Sequence, residues 1–412
     1  MASARSLFHN RDFMLLWGGQ VASTLGSMTC HVIYPLLILA LTDSPAAAGV
    51  AGALRFIPYL VLSLPVGALI DRWDRKRVMI LSDLGRMLAV GSIPVAMAFD
   101  ALTLGHVYVV CFLEGALFCF FNIAEVAALP RVVPRAQLPE ATAFNEAGYG
   151  IAGIVGPPFG TILYQAFGRA VPFVADALSY SISLFTLAFI RTPFRTATTA
   201  EAAAGKRDLR EEILEGLRWL WGKPLIRFMA FLTGGTNLAF AGVPLLMIVL
   251  AKEMGADDAT VGMIFGVSGV GGIIGSLVGG RIQRRFTFGQ VIVATMWIQA
   301  SAFLLLSVMP GYFWLGVMAA VVSFFGPIYN VVQFSYRVAL IPDALQGRVN
   351  SVFRLLAFGF IPVGAALSGV LIEELGVKTA VALFAGSQFF FAILTTFNRH
   401  VRDAAPIQHA AT

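Results

Sequence analysis

Arg55, Asp83, Arg86 and Glu114 each interrupt a stretch of otherwise apolar residues. An ionised group deep in an apolar medium costs roughly 2.5 to 3.5 kcal/mol on insertion scales, so each needs a counter-charge, a watery cavity or a proton. Arg55 and Glu114 lie at similar depth in their stretches, and two chemistries fit them. They form a structural ion pair, or Glu114 takes up a proton whenever the pair opens. Asp83 and Arg86 are three residues apart on one helical face, where an intrahelical pair is the simplest account. Glu125 ends its apolar stretch and Asp176 begins another, each with a boundary in reach. His31 is a lone imidazole able to titrate near neutral pH or to act as a hydrogen-bonded packing residue.

Other chemistries are excluded by spacing. His9, His106, His400 and His409 are as scattered as His31 and complete no Ser/His/Asp set. Cys30, Cys111 and Cys119 stand alone inside apolar runs, without metal-ligand spacing or a disulfide framework. No Gly-x-x-x-x-Gly-Lys-Ser/Thr loop is present to hold a nucleotide. No enzyme activity, metal or cofactor is expected.

The elements that must position these groups are membrane helices. With 58% hydrophobic and 13% charged residues and a mean hydropathy of +0.80, the charge cannot cover two water-facing domains of a 412-residue chain. Apolar runs of roughly 20 residues, the length that crosses a hydrocarbon layer as helix, recur along it. Twelve spans are expected near 13–41, 46–70, 78–99, 105–128, 141–165, 171–191, 225–250, 258–280, 289–309, 312–336, 349–373 and 379–397. The polar start, MASARSLFHNRDF, lacks a small-residue cleavage site, so the first span is expected to be retained.

The connections alternate between two sets. Those after spans one, three, five, seven, nine and eleven hold only Arg169, Lys252 and Lys378, whereas the other set, with both tails, carries 24 of the 29 Lys and Arg residues. The positive-inside rule then puts both termini in the cytoplasm. The net charge of +6 is topological, because no basic stripe suits nucleic acid. The domain reading is 1–191, a cytoplasmic linker over 192–223, and 224–412. Within the linker Leu209, Ile213, Leu217 and Leu220 share one helical face, which predicts an interfacial helix.

The halves repeat. Residues 131–168 lie over 339–376 without a gap, matching Pro134 to Pro342, Gly156 to Gly364 and Gly168 to Gly376. GALIDR from Gly67 echoes GRIQRR from Gly280, with Arg284 in the place of Asp71. Parallel repeats of six spans imply two similar bundles related by an axis along the membrane normal.

Gly67, Asp71, Arg72, Arg75 and Lys76 form Gly-x-x-x-Asp-Arg-x-x-Arg-Lys between spans two and three, and on it the chain resembles the major facilitator superfamily over nearly its whole length. FMLLWGGQVASTLGS, SDLGR, EGLRWLW and GRVNSVFRL resemble its bacterial macrolide-efflux and enterobactin-exporter branch. The resemblance implies an all-α integral membrane fold of twelve helices in two six-helix bundles. It also implies that the signature is a cytoplasmic latch, with Asp71 facing the start of span eleven, where a carboxylate is favoured near a helix N-terminus. Arg348 and Arg354 near that start could add ion pairs. In span five, Ala152, Gly156, Pro157, Gly160 and Thr161 keep only part of an exporter Gly-Pro motif, with Gly156, Pro157 and Gly160 suited to hinge or packing roles.

Neutral hydrogen-bonding groups, Asn237, Asn330 and Gln333, are placed by the resemblance on cavity-lining helices, with Tyr34, Phe118, Phe121, Phe240, Tyr329 and Phe334 as an aromatic wall beside them and His31 nearby. The expectation is a secondary exporter of hydrophobic or amphipathic small molecules, drug or siderophore in type. It would be driven by proton antiport through alternating access, as a monomer in the bacterial cytoplasmic membrane. A lipid or metabolite transporter, or a non-transporting sensor of the same fold, is the alternative.

Overall fold

The computed structural model describes residues 7–70, 72–194, 209–342 and 345–404, and the regular structure among them is helical throughout. Before the linker come α1 (Arg11–Thr42), α2 (Pro45–Ile70), α3 (Arg75–Ala98), α4 (Leu104–Val132), α5 (Leu138–Phe167) and α6 (Val171–Phe189). The linker holds α7 (Leu209–Trp221). After it come α8 (Pro224–Glu253), α9 (Asp258–Arg285), α10 (Phe288–Leu306), α11 (Tyr312–Leu340), α12 (Gln346–Phe358), α13 (Ile361–Leu375), α14 (Val377–Phe397) and the single turn α15 (Arg399–Arg402).

Local chemistry fixes where the helices start. The Asn10 side chain accepts from the Phe13 N–H at 3.1 Å to begin α1, and Thr103 does the same for His106 at 3.2 Å in α4. Asp74 accepts from the N–H groups of Lys76 and Arg77, so one acid of the charged DRWDRKR run is the N-cap of α3.

Among the described residues, eleven segments are long and apolar enough to cross a membrane. The twelfth predicted span is α5, a 30-residue helix whose Gly148, Gly150, Gly153, Gly156, Pro157, Pro158 and Gly160 stand where its neighbours carry aliphatic side chains. The protein is a multi-pass, all-helical membrane protein. One span departs from expectation: 349–373 is not a single helix but α12 and α13, parted at Gly359 and Phe360. Pro362 lacks an N–H, and its ring would collide with the Phe358 carbonyl in a continuous helix.

The chain divides into two units, Met1–Thr198 with Asp257–Gly266, and Thr199–Ala256 with Val267–Thr412. In the first, α1 packs on α5 and α6, while α3 packs on α4 and α6. In the second, α8 packs on α13 and α14, while α10 packs on α11 and α14. The sequence repeat is thus a repeat of packing. A Cβ on Gly156 would lie 2.6 Å from the Met28 Cβ of α1, and one on its repeat partner Gly364 would lie 1.9 Å from the Leu238 carbonyl oxygen of α8. Only hydrogen fits at either place.

Candidate functional site

The first unit brings its buried charges together from four helices, α2, α3, α4 and α6. A Cβ on Gly115 of α4 would lie 2.1 Å from the backbone oxygen of Arg55 on α2, so the missing side chain lets the two backbones touch. The neighbour of Gly115 is Glu114, and Arg55 Nη2 donates to Glu114 Oε1 at 2.7 Å. The Arg55 guanidinium also sits 4.9 Å from the centre of the Tyr34 ring, within cation–π range. Similar depth in sequence did identify a contact. Gly115, which makes the contact possible, gave no sequence signal apart from its place beside a buried acid.

Arg86 of α3 joins three helices. Its Nη1 donates to Asp83 Oδ1 at 3.4 Å, the expected intrahelical pair, but its Nη2 also donates to Ser27 Oγ of α1 at 3.1 Å. Ser27 is hydrogen-bonded to the Tyr180 hydroxyl of α6 at 2.9 Å, and the guanidinium lies 4.2 Å from the Tyr180 ring centre and 5.6 Å from that of Phe118. This pair is part of the unit's core.

Two acids expected at boundaries are interior as well. Asp176 is 0% exposed and Glu125 4%, values like those of Asp83 at 0% and Glu114 at 2%. Asn145 Nδ2 donates to Glu125 Oε1 at 3.3 Å. Asp176 faces Gly26 of α1, where a Cβ would come within 2.6 Å of Oδ1. Counting residues from a helix end locates such groups poorly, because the packing of α1 on α6 covers Asp176 wherever the membrane boundary falls.

The described part of the signature loop reaches the end of α6 and the segment that follows it. Asp71 lies outside the described residues. Gly67 has open space where a Cβ would be, and Arg72 is exposed. Arg75 Nη1 donates to the Phe194 carbonyl at 3.2 Å, and Lys76 Nζ donates to the carbonyls of Ala188 at 3.1 Å and Ile190 at 2.7 Å. Lys76 caps the C-terminal end of α6, where unpaired carbonyls and the helix dipole favour positive charge, and Arg75 holds the segment that follows. Asp12 of α1 completes the clamp by accepting from the N–H groups of Arg191 and Thr192 and from the Thr192 hydroxyl.

In the second unit Arg348 of α12 pairs with Glu215 of α7 at 2.5 Å, and Arg354 lies 5.9 Å from the Phe358 ring centre. Leu220 of α7 is fully buried and Leu217 partly so against the same core, so this part of the linker's apolar face is covered by protein and not by the membrane interface.

Of the residues named for a cavity, several are structural. Asn237 Nδ2 donates to the Ala357 carbonyl at 2.8 Å, tying α8 to α12. Tyr329 is buried and bonded to the Thr233 hydroxyl at 2.9 Å; Gln333 is buried beside the same core. In the first unit Tyr34 packs edge-on to Phe173, and Phe121 belongs to the core. These rings fill interiors. Phe240 is half-buried against Phe303, His31 is half-buried on α1, and Asn330, Phe118 and Phe334 are exposed. Sequence reasoning missed Arg337, the one buried cation among the described residues of the second unit. It lies 3.8 Å from the Phe353 ring centre and 5.3 Å from that of Phe334.

The sequence profile of a family described as transmembrane secretion effector matches residues 2–411. The chain is 25% identical over 407 residues to the multidrug efflux pump Tap of Mycolicibacterium fortuitum, covering 95% of this chain and 96% of that one. It is 26% identical over 373 residues to macrolide efflux protein A of Streptococcus pyogenes, covering 89% and 90%. Two solved structures share the fold at 15% identity. A bacterial homologue of the iron transporter ferroportin, in an inward-facing state, matches with a TM-score of 0.70 over 95% of this chain and 99% of that one. A nucleoside transporter matches with a TM-score of 0.73 over 93% and 100%.

Proposed function

The chain belongs to the transmembrane secretion effector family of major facilitator transporters, and on that premise we propose that it exports hydrophobic or amphipathic small molecules, of drug type, in exchange for protons. It is a transporter and not an enzyme. The efflux-pump names of its relatives support the direction and the substrate class. The observation that carries the coupling is the buried Arg55–Glu114 pair, with more acids around it than cations. Breaking and remaking such a pair is a step to which proton entry can be tied.

Export proceeds by alternating access between a bundle of residues 1–191 and a bundle of residues 224–412, joined by the 192–223 linker. The protein sits in the bacterial cytoplasmic membrane as a monomer with both termini cytoplasmic, an orientation supported by the charge asymmetry of the loops. Asp71, Arg348 and Arg354 belong to the cytoplasmic gate in this reading. Gly156, Pro157 and Gly160 serve as the packing seam on α1.

Purified protein in vesicles tests it, with ethidium as a lipophilic cation, erythromycin as a macrolide and an imposed pH gradient. Probe accumulation that collapses when an ionophore removes the gradient is expected. Gradient-independent movement of both probes, or movement of neither, overturns the proposal. Glu114→Gln should flatten the pH dependence of the flux.

A further inference from the structure

Three carboxyls and two guanidiniums lie in the interior formed by α1, α2, α3, α4 and α6: Glu114, Asp83 and Asp176 against Arg55 and Arg86. Arg55 holds Glu114 and Arg86 holds Asp83; of the first unit's other buried acids Glu125 accepts from the Asn145 amide, which leaves Asp176. Asp176 Oδ1 accepts from the Ser179 hydroxyl at 3.4 Å, Oδ2 has no hydrogen-bond partner, and among the described residues no cation lies within ion-pair distance of it. A fully buried carboxylate with neither counter-ion nor full hydrogen bonding is the costliest state such a group can adopt. Resting on the proton-driven export proposed above, we propose that Asp176 is the carboxyl that carries the proton, and that Arg55 or Arg86 discharges it by changing partners.

The geometry provides for the exchange. Phe173, three residues earlier on α6, meets the Tyr34 ring at 5.2 Å, and Arg55 lies over that same ring. Tyr180, four residues later, lies beneath Arg86. At a rise of about 1.5 Å per residue, the two rings flank Asp176 by only about 4.5 and 6 Å along the helix axis. Arg86 therefore rests on a ring of α6 one turn from the unpaired acid and Arg55 on the Tyr34 ring that packs against Phe173, so a rotation of either guanidinium would trade its present carboxylate for Asp176. Gly26 of α1 keeps the approach open, since any larger residue would press on Asp176 and Ser179.

In the state described here the proton is bonded to Asp176. Arrival of a guanidinium stabilises the carboxylate, the O–H bond breaks, and the proton leaves to water on the side then open. The acid left behind by that arginine is the next to accept one. The other titratable groups facing this cluster are Cys30, His31 and Tyr34 on α1, Asp83 on α3, Glu114 and Glu125 on α4, and Tyr180 on α6 itself.

Vesicles with ethidium inside and out separate the two steps of transport. Asp176→Asn should abolish gradient-driven ethidium accumulation, down to the level of empty vesicles, while equilibrium exchange of labelled ethidium continues. Asp176→Glu should retain part of both. Gradient-driven accumulation at the wild-type rate in Asp176→Asn overturns the assignment. A wild type that shows no response to the gradient overturns instead the export reading on which it rests. If the asparagine variant does not fold, infrared spectra of the wild type with isotope-labelled aspartate decide. A protonated aspartic acid C=O band in the neutral range that shifts with the label is expected, and its absence overturns the proposal.

Discussion

In the first unit the interior holds Asp83, Arg86, Glu114, Glu125 and Asp176; in the second, the corresponding interior holds Gln299, Gln333 and Gln388, with Thr233, Thr236 and Tyr329. The pairings α1–α5, α1–α6, α3–α4 and α3–α6 of the first unit recur in the second as α8–α13, α8–α14, α10–α11 and α10–α14. Gln388 Nε2 reaches the Thr236 carbonyl at 3.4 Å, a neutral contact between α14 and α8 where the first unit has ionisable groups between α6 and α1. Even the buried Arg337 is stacked on rings and, among the described residues, has no carboxylate partner. A duplicated scaffold has kept its packing and divided its chemistry, with ionisable groups buried in one unit and mostly neutral hydrogen-bonding groups in the other.

The sharpest way to break this contrast is to unpair a charge. Glu114→Ala strands Arg55, and losing one partner of a buried pair costs about 3 to 5 kcal/mol, with the lower end expected because part of the Arg55 side chain reaches solvent. Removing both charges with Arg55→Met and Glu114→Met should recover most of that stability without recovering pH-dependent transport. Thermal unfolding in detergent beside vesicle flux checks it. A double variant as unstable as the single one would show that the pair is not the source of the loss.

A smaller effect compares the units directly. Gly115 sits against the Arg55 carbonyl in the first unit, and Gly275 against the Phe324 carbonyl in the second, at 2.1 and 2.0 Å for an added Cβ. Gly115→Ala and Gly275→Ala should each cost about 1 to 3 kcal/mol by overpacking. Only Gly115→Ala should also change the pH dependence of ethidium flux, since only there does the seam position an ion pair. Equal shifts in both pH profiles would remove the division of labour.

How legible all this was in sequence follows the same line. The spans and the repeat were readable because twenty-residue apolar runs and a constant offset of glycines and prolines survive without any knowledge of contacts. The Arg55–Glu114 contact was readable from depth. The burial of Asp176 and Glu125 was not, because depth along one helix says nothing of which neighbour covers it. The contacts of Arg75 and Lys76 with the end of α6 and the segment after it were not readable for a related reason. Their partners there are backbone carbonyls, and a carbonyl leaves no mark in the residue types around it.

That clamp also supplies the smallest effect. In the first unit the start of α3 holds the exit of α6 through the long side chain of Lys76; in the second, the start of α10 holds the exit of α14 by direct backbone approach, with a Cβ on Gly289 falling 2.4 Å from the Val401 carbonyl oxygen. Lys76→Ala removes two charge-assisted bonds at a partly exposed helix end, a loss of about 0.3 to 1 kcal/mol. Salt should weaken the wild-type advantage, because the same ions that screen the α6 dipole compete for Lys76. Gly289→Ala has no flexible side chain to give way and should cost more, with no dependence on salt. A Lys76→Ala variant that unfolds at the wild-type temperature in low salt would show that the lysine does not hold the end of α6, and would return it to the role of a topology anchor.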